Sequence, residues 1–141
     1  MKKLIVFLLI TPLISFGQTK KFEDVDVPYA VIEDVPIYPG CEKVERSKRR
    51  DCFQEKLNKH ISDNFQYPDI AQEMGIQGIV YINFIIDKDG SITSIRTRGP
   101  DKNLEKEAQR IIAKLPRMTP GIQRGRAVRV PYSVPITFRL Q

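Results

Sequence analysis

The stretch that decides the fold is Val128–Leu140, which reads V-R-V-P-Y-S-V-P-I-T-F-R-L. Its even-numbered residues are all apolar, and its odd-numbered residues are all polar or proline. Successive side chains of a β-strand point to opposite faces of the sheet. The strict alternation therefore predicts an extended strand with one buried face.

The two prolines of this strand, Pro131 and Pro135, both occupy odd positions. Backbone N–H groups alternate in direction along a strand, so both missing donors fall on the same side. Proline is tolerated in a sheet where its defective side faces outward from an edge. The pattern predicts an edge strand, and an exposed edge either avoids partners or recruits them.

Two further strands lie upstream and form a hairpin. Ile79–Ile86 is apolar on both faces, which predicts a strand that is central in its sheet or buried on both faces. Asp89-Gly90 predicts the turn, and Ile92–Arg98 is a half-exposed returning strand. The predicted strand order is Ile92–Arg98, then Ile79–Ile86, then the strand beginning at Val128.

Apolar residues at helical spacing predict two amphipathic helices. One stripe comprises Leu104, Ala108, Ile111, Ile112 and Leu115, and this helix should cover the apolar face of the sheet. The other stripe comprises Phe53, Leu57, Ile61 and Phe65. The predicted fold class is α+β, with a three-stranded antiparallel sheet packed on one side by helices and an N-terminal helical arm.

The first 17 residues have the pattern of a secretory signal peptide. Lys2 and Lys3 precede an apolar core that ends in Ser15-Phe16-Gly17, a small-x-small cleavage site. This predicts export to the periplasm, with an uncleaved N-terminal anchor as the alternative. No stable membrane span is expected, because the apolar run is short and Pro12 interrupts it.

Residues 18–64 are predicted to form the N-terminal arm. It begins as an extended segment with a short strand around Tyr29–Ile32. In an exported chain, the closely spaced pair Cys41 and Cys52 predicts a disulfide. A metal site formed by these cysteines and His60 would have too few ligands.

Composition and charge limit the classes of function and partner. The 141 residues are 41% hydrophobic and carry a net charge of +6, as expected for one globular domain. Export argues against nucleic acid as a partner, and the positive charge favours an acidic protein, a peptide or an anionic envelope polymer. The chain has no nucleophile–base pair, metal-ligand cluster or phosphate-binding loop, so we expect no enzymatic activity and no cofactor or metal.

An ordered set of motifs resembles the C-terminal domain of TonB-family proteins over residues 65–141. The motifs are Tyr67-Pro68-x-x-Ala71, Gly75-x-x-Gly78-x-Val80-x-Ile82-x-Phe84, Asp89-Gly90, Pro120-Gly121, Gly125-x-x-Val128 and Pro135-Ile136-x-Phe138. The family fold agrees with the fold predicted above. With the signal peptide (1–17) and the arm (18–64) predicted above, the resemblance makes residues 65–141 a TonB-like domain.

The resemblance also implies a function. TonB-family domains capture an extended segment of an outer-membrane receptor, the TonB box, by adding it as a strand beside their last strand during energy-dependent transport. By position, the implied partner-binding residues are Gln66, Tyr67 and Pro68, together with Arg129, Ser133, Thr137 and Arg139 of the last strand. The prolines restrict unbroken pairing to the Thr137–Gln141 end or the Arg129 end.

The alternative is a structural envelope module. In that case the chain pairs with itself as a homodimer through the free edge, or binds anionic polymer through its basic face, and has no transport role. The chain departs from the family at its interrupted strand edge, described above, and at its N-terminal part, which argues against energy transduction by this chain alone. It shows a cleavable signal in place of a membrane helix, and a short arm in place of a long proline-rich linker.

Overall fold

The computed structural model describes residues 25–141, together with Pro12 and Gly17. Apart from those two residues, the predicted signal peptide and the start of the arm lie outside the described residues. Helices α1, α2 and α3 and strands β1–β5 follow one short 3-10 turn. In chain order the elements are Arg46–Lys48 (3-10), α1 Arg49–Asn64, α2 Asp69–Glu73, β1 Gly78–Ile86, β2 Ile92–Arg98, α3 Lys102–Ala113, β3 Ile122–Gln123, β4 Arg126–Ala127 and β5 Val130–Phe138.

The main sheet has three antiparallel strands in the order β2-β1-β5. The β1–β5 register runs without interruption from Gly78 opposite Phe138 to Ile86 opposite Val130. The predicted fold class, the strand order and the edge position of the last strand are therefore confirmed. The short strands β3 and β4 form a separate two-stranded ribbon.

The β1–β2 turn requires glycine at position 90. Gly90 has a φ of 82°, and a Cβ added there would lie 1.6 Å from the Met118 carbonyl oxygen. Its backbone also bonds that loop, because Met118 N–H donates to the Gly90 carbonyl at 2.9 Å. The predicted Asp-Gly turn thus anchors the loop that leads from α3 toward β5.

Strand β1 is central, but only one of its faces is buried. Val80, Ile82 and Phe84 lie under the helices, whereas Ile79 and Tyr81 are 41% and 57% exposed on the opposite face. No described element covers that opposite face, which we call the open face. The sequence left central position and burial on both faces as alternatives for this apolar strand, and the structure shows central position.

Helices α3 and α1 provide the cover on the helix side. Leu104, Ala108, Ile111 and Ile112 of α3 are fully buried, and the Asp101 carboxylate caps the helix by accepting from the N–H groups of Asn103 and Leu104. His60 connects the two helices through a 2.8 Å hydrogen bond between its Nε2 and the Ile111 carbonyl.

The arm contributes to the same hydrophobic core as the sheet. Ile32, Val35, Tyr38 and Cys41 are buried with the strands and helices. The predicted stripe of α1 is buried unevenly along the helix. Phe53 and Leu57 are fully buried, whereas Ile61 and Phe65 are only partly buried.

Candidate partner-binding site

The arm lies along the outer edge of β5 at its beginning. Val27 N–H donates to the Arg129 carbonyl at 2.9 Å, and Tyr29 N–H donates to the Pro131 carbonyl at 3.3 Å. We call residues 25–32 the edge segment. Residue numbers rise together in both pairs, so the edge segment runs parallel to β5.

These bonds establish which side of β5 faces outward. The acceptors Arg129 and Pro131 are odd-numbered, so the odd-numbered backbone groups point away from β1, as the proline positions predicted. Arg129 also forms an ion pair with Asp26 at 3.3 Å. The Arg129 end, one of the two ends predicted to accept a partner, is therefore covered by the chain itself.

The ring of Tyr29 holds the edge segment against the body of the protein. Its centroid lies 5.0 Å from that of Phe53 on α1 and 4.9 Å from that of Tyr132 on β5. The Arg50 guanidinium lies 5.0 Å from the centroid of the same ring. Arg50 also donates to the carbonyls of Tyr29 and Ile32, at 2.6 and 3.2 Å.

Burial raises the pKa of Tyr29 to about 12, and the neighbouring Tyr132 contributes in the same direction while Arg50 opposes it. The Tyr29 hydroxyl is the one buried side-chain polar atom among the described residues without a hydrogen-bond partner. Tyr29 therefore stays neutral well above physiological pH, and its ring, not its hydroxyl, provides the anchoring.

The predicted disulfide is confirmed, and it attaches the part of the arm that follows the edge segment to α1. Cys41 and Cys52 are bonded with their Cα atoms 6.1 Å apart, which links the arm to the first half of α1. On the chain-entropy model, closing this loop stabilises the fold by about 3 kcal/mol. Both sulfur atoms are engaged in the bond, so neither is available to a metal.

The remainder of the β5 edge, Ser133–Arg139, is uncovered by the described residues; we call it the free edge. Ser133, Pro135, Thr137 and Arg139 are all exposed. No backbone group of the described chain bonds this side of the strand. The Ser133 hydroxyl hydrogen-bonds the Asn83 side chain on the open face, leaving the Ser133 backbone groups outward.

A groove of about 510 Å³ runs beside the free edge, between β5 and the second half of α1. We call it the α1–β5 groove. The partly buried Ile61 and Phe65 contribute its apolar wall on the helix side. The full lining is Asn58, Ile61, Ser62, Phe65, Pro135, Ile136, Thr137 and Arg139.

The stretch Gln66–Pro68 lies at the end of the same strand. The Tyr67 ring is 5.8 Å from that of Phe138, and its hydroxyl donates to the Ile76 carbonyl. Gln66 N–H donates to the buried carboxylate of Glu107 at 3.0 Å. This stretch therefore borders the end of β5 that carries Thr137 and Arg139.

The structure thus brings together some of the predicted partner-binding residues and separates others. Gln66, Tyr67 and Pro68 lie near Thr137 and Arg139, Ser133 lies midway along the strand, and Arg129 lies under the edge segment.

The sequence prediction missed the role of Tyr29. It placed a short strand at Tyr29–Ile32, but Val31 and Ile32 both donate to the Pro28 carbonyl, which makes a turn. The available signal for this turn was Pro28, because proline favours turns. The groove-lining role of Ile61 was also missed, because a helical stripe normally indicates core.

Among the described residues, no helix has the length and apolar character needed to cross a membrane.

Comparisons with known proteins give one family. The model of the family described as Gram-negative bacterial TonB protein C-terminal matches residues 63–140, more than half of the chain. None of the curated proteins compared with this chain matches it significantly.

Three solved structures are similar. The Helicobacter pylori TonB C-terminal domain, in its longer form, is 24% identical, with 71% of this chain and 87% of that chain covered and a TM-score of 0.47. The Pseudomonas aeruginosa TonB C-terminal domain is 29% identical, with 54% and 78% covered and a TM-score of 0.44. The shorter Helicobacter pylori form is 26% identical, with 63% and 95% covered and a TM-score of 0.41.

Proposed function

This chain belongs to the family of TonB C-terminal domains, and we propose that it captures an extended segment of an envelope protein by strand addition at the free edge of β5. The family is one of non-enzymatic envelope domains that in general contact TonB-dependent outer-membrane receptors. The proposed partner is such a receptor or another envelope protein, and the proposed role is in energy-dependent transport.

The observation that carries the proposal is that the edge of β5 already accepts backbone hydrogen bonds from a segment of its own chain. Val27 and Tyr29 donate to outward-facing carbonyls at one end, and the outward groups from Ser133 onward have no such cover in the described chain. Main-chain pairing is what supplies affinity in strand addition, and flanking side chains supply selectivity.

Residue roles follow from this placement. Ser133, Thr137 and Arg139 offer backbone groups to the partner strand, and Gln66, Tyr67 and Pro68 contact the part of it that passes the end of β5. Arg129 positions the edge segment instead of meeting the partner. In this proposal residues 1–17 direct export to the periplasm, 18–64 form the arm, and 65–141 form the binding domain.

The test is a titration of the isotope-labelled protein with peptides from the plug domains of TonB-dependent receptors, monitored by amide chemical shifts. We expect the largest shifts at Ser133, Thr137 and Arg139. Thr137→Pro removes one outward donor while leaving the β1 side of the ladder intact, because Pro131 and Pro135 already occupy equivalent positions. It should weaken binding, whereas the matched variant Thr137→Val, which keeps the N–H, should not.

A second candidate function is favoured by the open face. Arg96 lies opposite Asn83, Arg98 lies opposite Tyr81, and all four side chains are exposed. Two arginines beside an exposed aromatic ring suit an anionic envelope polymer. Co-sedimentation with peptidoglycan that is lost in Arg96→Ala/Arg98→Ala, with peptide binding unchanged, would support this function over the first.

A further inference from the structure

Helix α1 and strand β5 run side by side and in the same direction. The Phe53 ring contacts Tyr132 at 5.2 Å, and twelve residues later the Phe65 ring contacts Phe138 at 5.1 Å. The helical rise over that interval is about 18 Å, and the six strand residues span about 20 Å. One continuous line of contact therefore joins the edge segment to the α1–β5 groove.

At the beginning of this line, the space between helix and strand is filled by Tyr29. Its backbone pairs with the edge of β5 at Pro131, and its ring enters between Phe53 and Tyr132. The edge segment thus makes two linked contacts, one through its main chain to the strand and one through an aromatic side chain to the helix.

At the end of the line, the corresponding space is open. No described side chain occupies the α1–β5 groove, and its apolar wall is left partly exposed at Ile61 and Phe65. The outward backbone groups of Ser133 and Thr137 lie on the adjacent edge. The two halves of the contact line therefore have the same construction, but only the first is occupied.

We propose that the partner segment carries a large apolar side chain that enters the α1–β5 groove at Ile61 and Phe65, as Tyr29 does at Phe53. This inference rests on the proposed function, since the partner's main chain must pair with the free edge for its side chain to reach the groove. Side chains alternate along a strand, so the apolar residue alternates with residues that face the open side of the sheet.

The lining sets a charge preference for the residues that flank this anchor. The one charged side chain in the lining is Arg139, and no carboxylate is present. A neutral or acidic flank is therefore accepted and a basic one disfavoured. The partner class is an extended, uncharged or acidic segment with one aromatic or branched aliphatic residue.

The experiment uses two synthetic peptides, Glu-Thr-Thr-Phe-Thr-Thr-Glu and the same peptide with alanine at the centre, so that phenylalanine is the one large apolar residue. Each is titrated into the full-length protein by calorimetry and by amide chemical shift. The central phenylalanine should strengthen binding at least about tenfold, the effect of burying one large apolar side chain.

Two tryptophan variants on the surface of α1 form the matched pair on the protein side. Ser62 is exposed and lines the groove, so Ser62→Trp fills the groove without disturbing the core. Lys59 is exposed on the same helix outside the lining, so Lys59→Trp is the control. The first variant should lose the preference for phenylalanine, and the second should keep it.

The outcomes separate this inference from the function on which it rests. Equal binding of both peptides, with Ser133 and Thr137 still shifting, overturns the groove inference and leaves strand addition standing. The groove inference is likewise overturned if Ser62→Trp and Lys59→Trp behave alike. If neither these peptides nor the receptor plug peptides shift the edge amides, strand addition fails and the groove inference fails with it.

Discussion

At the scale of single residues, the two prolines of β5 set how much of its edge can be paired. Pro131 lies under the edge segment, where its carbonyl accepts from Tyr29. Pro135 lies on the free edge, where the missing donor interrupts any partner strand. The same residue type therefore contacts the chain's own edge segment at one position and restricts a partner strand at the other.

Pro135→Val should strengthen partner binding or self-association. The substitution restores one outward N–H, and one net hydrogen bond corresponds to about a two- to tenfold gain in affinity. Peptide titration and sedimentation at several concentrations measure the two effects. Pro131→Val is the control, because its new donor lies beneath the edge segment. No change in either measurement for Pro135→Val would mean that this edge is not the binding surface.

Tyr29 gives a second pair of variants at this scale. Tyr29→Ala removes the ring that packs on Phe53 and Tyr132 and should lower the free energy of unfolding by about 2 kcal/mol, since the side chain is only half-buried. Tyr29→Phe removes only the unpartnered hydroxyl and should be neutral or slightly stabilising. Urea unfolding of both variants tests this, and a large loss in Tyr29→Phe would contradict it.

The raised pKa of Tyr29 predicts a loss of stability in alkali. The folded-state pKa is about 12 against an ordinary value of 10.0. A raised pKa means that the folded state holds the proton more tightly, so this contribution is complete below pH 10 and is lost as the pH rises through 12. Urea unfolding across this window should show a shallower fall in Tyr29→Phe. Equal dependence of stability on pH in the two proteins would contradict the raised pKa of Tyr29. Burial also raises the pKa of Tyr38 and Tyr132, but both residues remain in both proteins, so they do not account for a difference between them.

At the scale of elements, the sheet could be predicted from the sequence and the path of the edge segment could not. The alternation of apolar residues and the odd positions of both prolines are local properties of β5, so the sequence alone identified it as an edge strand. The hairpin turn at Asp89-Gly90 was likewise local. The path of residues 25–32 depends on contacts with Phe53, Tyr132 and Arg129, which are distant in the chain, and no local pattern encodes them.

The same reasoning explains which part of the candidate site was predictable. Thr137 and Arg139 followed from parity, because an outward position on a strand is a local property. The groove depends on how closely α1 approaches β5, and the stripe Phe53, Leu57, Ile61 and Phe65 is uniform in sequence. Only the packing of the folded chain makes its second half partly exposed.

Reduction of the disulfide tests the attachment of the arm. Breaking the Cys41–Cys52 bond should lower the free energy of unfolding by about 3 kcal/mol. It should also loosen the edge segment, because Arg50, which holds Tyr29 and Ile32, lies within the loop that the bond closes. Amide hydrogen exchange at Val27 and Tyr29 should accelerate more than exchange in β1. Equal acceleration of exchange in the edge segment and in β1 would show that the disulfide stabilises the fold as a whole and does not specifically hold the edge segment.

At the scale of the whole molecule, the net charge of +6 bears on how a partner is found. The charge lies mainly in residues 65–141, which include the exposed Arg96, Arg98 and Arg139. A positive field speeds the approach of acidic segments more than it tightens the final complex.

Association with acidic peptides should therefore slow as salt rises, while dissociation changes little. Exposed charges are screened over about 8 Å at physiological ionic strength, so the effect should be strong between 20 and 300 mM salt, on the order of tenfold. Stopped-flow measurements of the two rates, with Arg98→Gln on the open face as a partial mimic of high salt, provide the test. If salt changes the dissociation rate more than the association rate, the charges act within the bound complex, which would contradict this prediction.

The short length of the free edge has a consequence for how long a captured segment stays. From Ser133 to Arg139 the strand spans about 20 Å, and with Pro135 in the middle only three outward donors remain. Each donor would contribute about 1 kcal/mol net, so we expect donation from this edge alone to hold a partner weakly. Under the proposed function, a receptor segment captured during transport must also be released, and the edge segment limits the length of pairing by covering the other half of β5.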